Sequence, residues 1–389
     1  MLWYNSGMKI GLVCPYNVVK GGGVQEIVRA MHKELTLRGH DVRIITPEPR
    51  ELPDAHRTKD VIFIGSAANF NSPLHTTSQI SGTSDMYAIE QMLDREKFDI
   101  LHFHEPWVPM LSRQILSRSR SINVATFHAK LPETVMSRTL TAIVTPYTKA
   151  VLRDLDHLTA VSEPAAEYVR TMTDATVEII PCGIDLSTFK PPETFASVLK
   201  PVKTILYLGR LERRKGVMQL LKAYQLLVEH CSDVELVIAG DGPDRKKLED
   251  KVEELELPNV KFLGYVTDKE KHKLLKTADL FCAPALYGES FGIVLLETMA
   301  SGLVTVAGDN PGYAAVMQEL GSISLVNPKE PAEFARRMDV MLHDEGLRRL
   351  WRKWALSYVK QFDYGVIIDK YEVIYNTAHK AQPALAEYA

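Results

Sequence analysis

Two successive runs of alternating strand-like and helix-like segments, parted by a proline-interrupted break, set the tightest limit on how this chain can fold. The first run opens with Lys9–Cys14, continues through a helical pattern near Val24–Arg38 and returns to a strand at Asp41–Thr46. Short apolar strands joined by amphipathic helices imply a parallel sheet with helices on both faces. Further strands are expected at Val61–Ile64, Ile100–Phe103, Asn123–Phe127, His157–Ala160 and Val177–Ile180. Pro191, Pro192 and Pro201 interrupt the stretch Asp185–Val202, which reads as a linker. The alternation then restarts at Thr204–Leu208, Glu235–Ala239, Val260–Leu263, Leu280–Ala283 and Val304–Ala307. The expected fold class is α/β, with two doubly wound, Rossmann-like domains facing a cleft. A chain of 389 residues agrees, because it exceeds what one hydrophobic core usually fills. The last segment, from Arg348, is helical in pattern, and its aromatics Trp351, Trp354, Tyr358, Tyr364, Tyr371 and Tyr375 read as a core stripe.

Composition narrows the function. A net charge of -3 gives no general reason to invoke nucleic acid. Cys14, Cys182, Cys231 and Cys282 are scattered without CxxC spacing, so buried free thiols are expected. No apolar run reaches the roughly 18–20 residues of a membrane span, and Met1–Gly7 lacks the regions of a signal peptide. A cytoplasmic protein is therefore expected, with Met1–Gly7 as an extension without catalytic role.

Chemistry concentrates in a few places. The stretch Gly288-Glu289-Ser290-Phe291-Gly292-Ile293-Val294 leads into a helical run to Ala300 that contains Glu297. Ser290 or a neighbour is expected to open this helix, whose first amides lack partners within it and favour an anionic or hydroxyl-rich ligand. Counted along a helix, Glu297 would lie a little over two turns beyond Glu289, so the two carboxylates would grip different parts of one ligand. Solvated carboxylates would be the ordinary alternative. Upstream, the strand Thr204–Leu208 ends in Gly209-Arg210-Leu211-Glu212-Arg213-Arg214-Lys215-Gly216, and Lys203–Lys222 holds six basic residues against one acid, Glu212. A basic, glycine-bounded loop between strand and helix suits a diphosphate. His128 ends another strand at the edge where such sheets bind ligands. His102 and His104 point the same way on their strand and could be read as metal ligands, but no third ligand has fitting spacing.

These residues, with Gly240-Asp241-Gly242-Pro243, resemble the donor-binding half of the retaining glycosyltransferases of family 4, which have the GT-B fold. Cys14-Pro15-Tyr16, Gly22-Gly23-Val24-Gln25, His102-Phe103-His104-Glu105-Pro106, Val124–His128, Ile180–Asp185 and Cys282-Ala283-Pro284 extend the resemblance over nearly the whole chain. The set is most similar to the bacterial phosphatidylinositol mannosyltransferases. The resemblance implies residues 1–190 as the acceptor-side domain, 191–365 as the nucleotide-sugar domain and 366–389 as a helix crossing back to the first. It implies that Arg210 and Lys215 hold the diphosphate, that Glu297 accepts from the ribose, that Glu289 with the amides of Ser290, Phe291 and Gly292 holds the transferred sugar, and that Ile293 and Val294 also belong to the donor site. Val266, Asp268 and Lys271 fall in the base-binding loop, where Asp268 leans toward GDP over UDP. Gly23 lets a ligand approach the first helix, and His128 stands beside the reacting sugar. Arg210, Lys215, Glu289 and His128 form the expected catalytic set, while Tyr16, Gln25, His104 and Glu105 lie toward the acceptor.

The expected reaction moves a hexose, mannose first, from a nucleotide-sugar to a hydroxyl acceptor such as a phosphatidylinositol-type lipid or another glycolipid precursor. No metal or further cofactor is expected, because fixed cations meet the leaving phosphate and no Asp-x-Asp pair lies nearby. Front-face displacement is the mechanism carried over from the family. UDP-hexose is the second donor, and a GT-B sugar-nucleotide epimerase or a nucleotide-sugar-binding module without turnover are other readings. Two departures stand out. Cys182 replaces the family's usual asparagine in its turn, and Gln79–Lys97, where membrane-docking relatives carry a basic helix, holds Asp85, Glu90, Asp94 and Glu96. Peripheral membrane contact would then come from Arg113, Arg118 and Arg120 or from Lys130–Arg153, or the acceptor is soluble.

Overall fold

The computed structural model describes residues 7–19, 21–49, 58–71, 77–81, 85–108, 110–129, 145–192 and 201–386. The chain divides into two compact units: Met1–Gly183 with Tyr364–Ala389, and Ile184–Asp363. In the first, the strands are β1 (Lys9–Val13), β2 (Asp41–Glu48), β3 (Val61–Asn71), β4 (Thr77–Ser81), β5 (Ile100–His104), β6 (Ile122–Phe127), β7 (His157–Ala160) and β8 (Val177–Ile179). They form one sheet in the order β4-β3-β2-β1-β5-β6-β7-β8. Every pairing is parallel except β3 with β4. That edge hairpin is absent from the sequence reading, which ended the third strand at Ile64.

The second unit contains β9 (Lys203–Leu208), β10 (Val234–Ala239), β11 (Val260–Gly264), β12 (Leu280–Ala283), β13 (Thr305–Gly308) and β14 (Leu325–Val326). Their order is β11-β10-β9-β12-β13-β14, parallel throughout. In both sheets the order of strand addition therefore reverses beside the first strand, at β1/β5 and at β9/β12, which are the switch points where such folds bind ligands.

Burial explains the strand composition. β5, β6, β12 and β13 are buried at every position, as expected of strands covered on both faces. One device recurs at strand starts: an aspartate before one strand accepts from the first amides of its neighbour. Asp99 takes Lys9 at 2.7 Å, Asp156 takes Asn123 at 2.7 Å and Asp279 takes Thr204 at 2.9 Å. Each such bond gives a backbone amide at the start of an interior strand a side-chain partner and ties that strand to its neighbour.

The final helix, Tyr364–Ala386, packs within the first unit. Arg38 reaches Asp369 at 2.6 Å and also Glu372, while His40 meets Glu372 at 2.9 Å. Tyr375 and Tyr371 of this helix are buried against the His102 ring, so these aromatics serve the core. Trp351 is also fully buried, whereas Trp354 and Tyr358 are only half-buried. Cys14, Cys182 and Cys282 are buried free thiols; Cys231 differs in being half-buried. Among the described residues no helix is long and apolar enough to cross a membrane.

Candidate active site

In the second unit the loops after β9 and β12 meet at the switch point. Leu286 donates its amide to the Arg214 carbonyl at 2.8 Å, and the Tyr207 hydroxyl donates to the Arg210 carbonyl at 2.8 Å. Gly216 has φ +73°, and a Cβ there would lie 1.9 Å from the Pro284 carbonyl oxygen. Both the backbone conformation and the contact exclude a side chain. Gly216→Ala should therefore destabilise the second unit by about 2–3 kcal/mol or more, read as a fall in the urea midpoint; an unchanged midpoint would mean that the two loops are not packed this closely.

The loops carry a compact charge group. Glu212 is 5% exposed and lies 2.9 Å from Arg210 Nε and 3.0 Å from Arg214 Nε. Arg214 also meets Glu289 at 2.7 Å, and Lys215 meets the same Glu289 oxygen at 2.8 Å. Burial opposes the charge on Arg214, but Glu289 and Glu212 outweigh it and raise its pKa. Three cations against two carboxylates leave one net positive charge beside the amino end of a helix. Of these five residues, the sequence reading chose Arg210, Lys215 and Glu289 and missed Arg214 and Glu212. The available signal was Glu212 itself, a lone acid among six bases.

The helix Ile293–Ala300 opens at Gly292, with φ +102°, and not at Ser290. A Cβ on Gly292 would strike the Tyr313 ring at 2.7 Å, so a residue without one is needed there. Glu289 consequently lies in the loop before the helix, and the spacing of two helical turns to Glu297 does not apply. Ile293 and Val294 form the first turn, whose amides have no carbonyl partners within the helix. Phe291 turns inward, 5% exposed and edge-on to Phe362 at 5.9 Å, so only its backbone is left for a ligand.

Glu297 is 7% exposed and pairs with Lys271 at 2.9 Å. This joins the helix Ile293–Ala300 to the helix Asp268–Thr277, which Thr267 opens in a capping box with Glu270. Val266 immediately precedes that cap. Asp268 is the first helical residue; its side chain is 86% exposed and 3.6 Å from Lys271. Lys271, Glu297 and Asp268 are thus linked, while Asp268 itself stands in solvent.

The first unit gathers a second group. His104 Nδ1 lies 2.9 Å from His128 Nε2, and Glu105 accepts from the His128 amide and from the Trp107 indole. Burial pushes Glu105 up to about 7 against these hydrogen bonds, and it pushes His128 down to about 3. Tyr16, after β1, is partly buried, and burial followed by the Glu105 charge raises its phenol well above the usual range. The helix Gly23–Leu37 begins with an exposed Gly23, and the Gln25 side chain folds over Gly22, where a Cβ would lie 2.4 Å from it.

His102 is committed elsewhere: Nδ1 to Tyr375 at 2.6 Å and Nε2 to Thr126 at 2.7 Å. Both ring nitrogens being engaged, it is a core residue and not half of a metal pair with His104. Of the arginines expected from the sequence as alternative sources of membrane contact, Arg118 pairs with Glu90 at 2.9 Å and Arg113 lies over the Tyr147 ring at 5.6 Å. Lys130–144 lies outside the described residues.

Doubly wound sheets in both units, with cations and carboxylates gathered at the switch point of the second, define a GT-B glycosyltransferase that takes a nucleotide-sugar donor. Residues 192–357 match the Glycosyl transferases group 1 family and residues 21–188 match Glycosyltransferase Family 4. The chain belongs to glycosyltransferase family 4. It is 31% identical to the phosphatidyl-myo-inositol mannosyltransferase of Mycolicibacterium smegmatis, over 96% of this chain and 95% of that one. Solved structures with the same fold include a sucrose-phosphate synthase from Thermosynechococcus elongatus, with TM-score 0.76, 21% identity and coverage of 96% and 100%. Anabaena HepE in complex with UDP-glucose has TM-score 0.74, 19% identity and coverage of 95% and 100%. The family and fold expected from the motifs are those found.

Proposed function

We propose that the protein transfers mannose from GDP-mannose, with retention, to a hydroxyl of a phosphatidylinositol-type lipid. The observation that carries this is the Arg210–Glu212–Arg214–Glu289–Lys215 group at the β9/β12 switch point, read beside the mannosyltransferase relative. Arg210 and Lys215 would bind the diphosphate and stabilise its charge as the bond from the anomeric carbon breaks. Glu289 accepts from sugar hydroxyls, a task suited to an acceptor-only carboxylate. In front-face displacement, the departing phosphate oxygen takes the acceptor's proton as its oxygen bonds to the same face of the anomeric carbon. His128 is the first unit's group for the transferred sugar. Peripheral attachment at a membrane would accompany a lipid acceptor.

Glu297 is assigned to the ribose. Glu297→Gln keeps the shape but removes the charge that accepts hydroxyl hydrogens and holds Lys271, so nucleotide Kd should rise roughly ten- to a hundredfold, with a smaller change in kcat. Calorimetry showing equal affinity in variant and parent would remove the ribose role.

UDP-hexose remains the second reading, because the exposed Asp268 does not by itself enforce guanine. The deciding experiment follows nucleotide release from GDP-mannose and UDP-glucose, with and without phosphatidylinositol vesicles. Lipid-dependent GDP release with an α-linked product supports the proposal. Lipid-dependent UDP release selects the second reading, and turnover indifferent to any acceptor defeats both.

A further inference from the structure

Two helices of the second unit meet at a group of ligating side chains that the sugar chemistry does not use. The helix Val217–Val228 leaves the carboxyl end of β9 and runs back to the start of the sheet, where Cys231 follows it before β10. The helix Pro331–His343 packs against it and ends at the same edge, where Lys203, the first residue of β9, donates to the Leu342 carbonyl at 3.1 Å. Asp339 and His343 lie one turn apart on one face of this helix, with His343 Nδ1 2.7 Å from Asp339 Oδ1. The Cys231 thiol donates to that same oxygen at 3.5 Å.

By itself, an Asp339–His343 pair would be an ordinary contact of small effect on a helix surface. The thiol makes the group different. One sulfur, one imidazole nitrogen and one carboxylate oxygen all lie within 4.8 Å of one another. Around a tetrahedral zinc ion, with bonds of roughly 2.0–2.3 Å, ligand atoms are about 3.3–3.8 Å apart, so shifts of about 1 Å bring these three onto one ion. The side chains have room for such shifts: Cys231 is half-buried, and the Asp339 and His343 side chains are 51% and 34% exposed. That exposure also supplies an entry path. Sulfur with imidazole favours zinc over magnesium or calcium, which take oxygen ligands. Besides Asp339, the neighbouring charges that bear on the thiol are Asp233 and Lys203, one of each sign, so they set no net charge against a cation.

We propose that Cys231, Asp339 and His343 bind a zinc ion, with water in the fourth position, and that the ion ties the end of the helix Val217–Val228 to the helix Pro331–His343. As the sulfur–zinc bond forms, the thiol proton leaves to solvent, and the His343 ring carries its proton on Nε2 while Nδ1 holds the metal. The site lies at the amino edge of the second sheet, opposite the edge where the loops after β9 and β12 gather the donor group, so the ion is structural and takes no part in the transfer. Sequence spacing does not reveal it, because Cys231 and Asp339 are 108 residues apart and only helix packing joins them.

The test uses tag-free, chelator-treated protein with cobalt(II) and zinc(II) as probes. In the parent, one equivalent of cobalt should give tetrahedral visible bands and a sulfur-to-cobalt charge-transfer band, both abolished by one equivalent of zinc. Cys231→Ser should lose the charge-transfer band and weaken zinc binding by more than the roughly 10- to 100-fold that loss of a partner behind a ligand costs. His343→Ala, which leaves the thiol in place, should weaken zinc binding alike. Zinc should raise the urea midpoint of the parent and leave that of Cys231→Ser unchanged, while kcat of the metal-free parent stays within about twofold of the zinc-loaded enzyme. Absence of the charge-transfer band, or zinc affinity in Cys231→Ser and His343→Ala within about threefold of the parent, overturns the proposal and leaves Asp339–His343 a surface ion pair. A metal-free kcat lower by about tenfold or more overturns the structural role of the ion.

Discussion

Replacing Lys215 with alanine should lower kcat by about a hundred- to a thousandfold, the range seen when one fixed electrostatic donor is removed from a developing anion. Lys215 touches one carboxylate oxygen, that of Glu289 at 2.8 Å, and Glu289 keeps Arg214 when the lysine is gone. Stability should therefore fall by no more than about 1 kcal/mol. Arg210→Ala should behave alike, since its side chain is 48% exposed and its one carboxylate, Glu212, also keeps Arg214. Arg214→Ala should differ in kind. That guanidinium bridges two largely buried carboxylates, and although Glu212 keeps Arg210 and Glu289 keeps Lys215, removing it takes a charged hydrogen-bond partner from both at once, a loss of about 2–3 kcal/mol. Single-turnover rates and urea midpoints measured on the three variants separate these roles. Lys215→Ala and Arg210→Ala both within twofold of the parent would remove the diphosphate assignment, while an Arg214→Ala that loses only activity would mean that its bridge is not structural.

The parallel strands were legible because burial on both faces demands unbroken apolar runs such as Ile205–Leu208 and Phe281–Ala283, which no amphipathic helix resembles. Strand β4 was not, because Thr77–Ser81 is a mostly polar edge segment paired only with β3. The helix start at Gly292 escaped for another reason: the demand for glycine comes from the Tyr313 ring, which arrives from a distant part of the chain. Local capping preference points to Ser290 instead. In the charge group, loop composition identified the cations but not which of four neighbouring bases turns inward, a matter decided by where Glu212 is buried. The His104–His128 pair was named as two separate roles because sequence spacing is silent on register. Only the β5–β6 pairing, with His104 opposite Thr126, brings residue 128 within reach of residue 104.

That same buried cluster should make the first unit acid-sensitive, with Glu105 opposing the histidines. Burial, with a smaller contribution from His128, pushes His102 down to about 3; burial alone does the same for His128, and His104 moves in the same direction. As pH falls through about 6.5, histidines in the unfolded chain take up protons that the folded rings refuse, so the unfolded state is favoured. At pH 5 this costs about 2 kcal/mol for each of His102 and His128, about 4 together, and His104 adds in the same sense. Glu105 works the other way. Its folded carboxyl, raised to about 7, binds a proton before the unfolded one does near 4.5, so its linkage returns about 2 kcal/mol between pH 7 and pH 5. The parent should therefore lose about 2 kcal/mol from these groups over that interval, plus the share of His104. Glu105→Gln, which cannot take up the proton, should lose about 2 kcal/mol more than the parent does. Hydrogen exchange at the β5 and β6 amides, followed at pH 7 and pH 5, reads the first unit directly. Equal losses in variant and parent would show that Glu105 is already ionised when folded, and a first unit as stable at pH 5 as at pH 7 in the variant would show that the histidines are not held neutral.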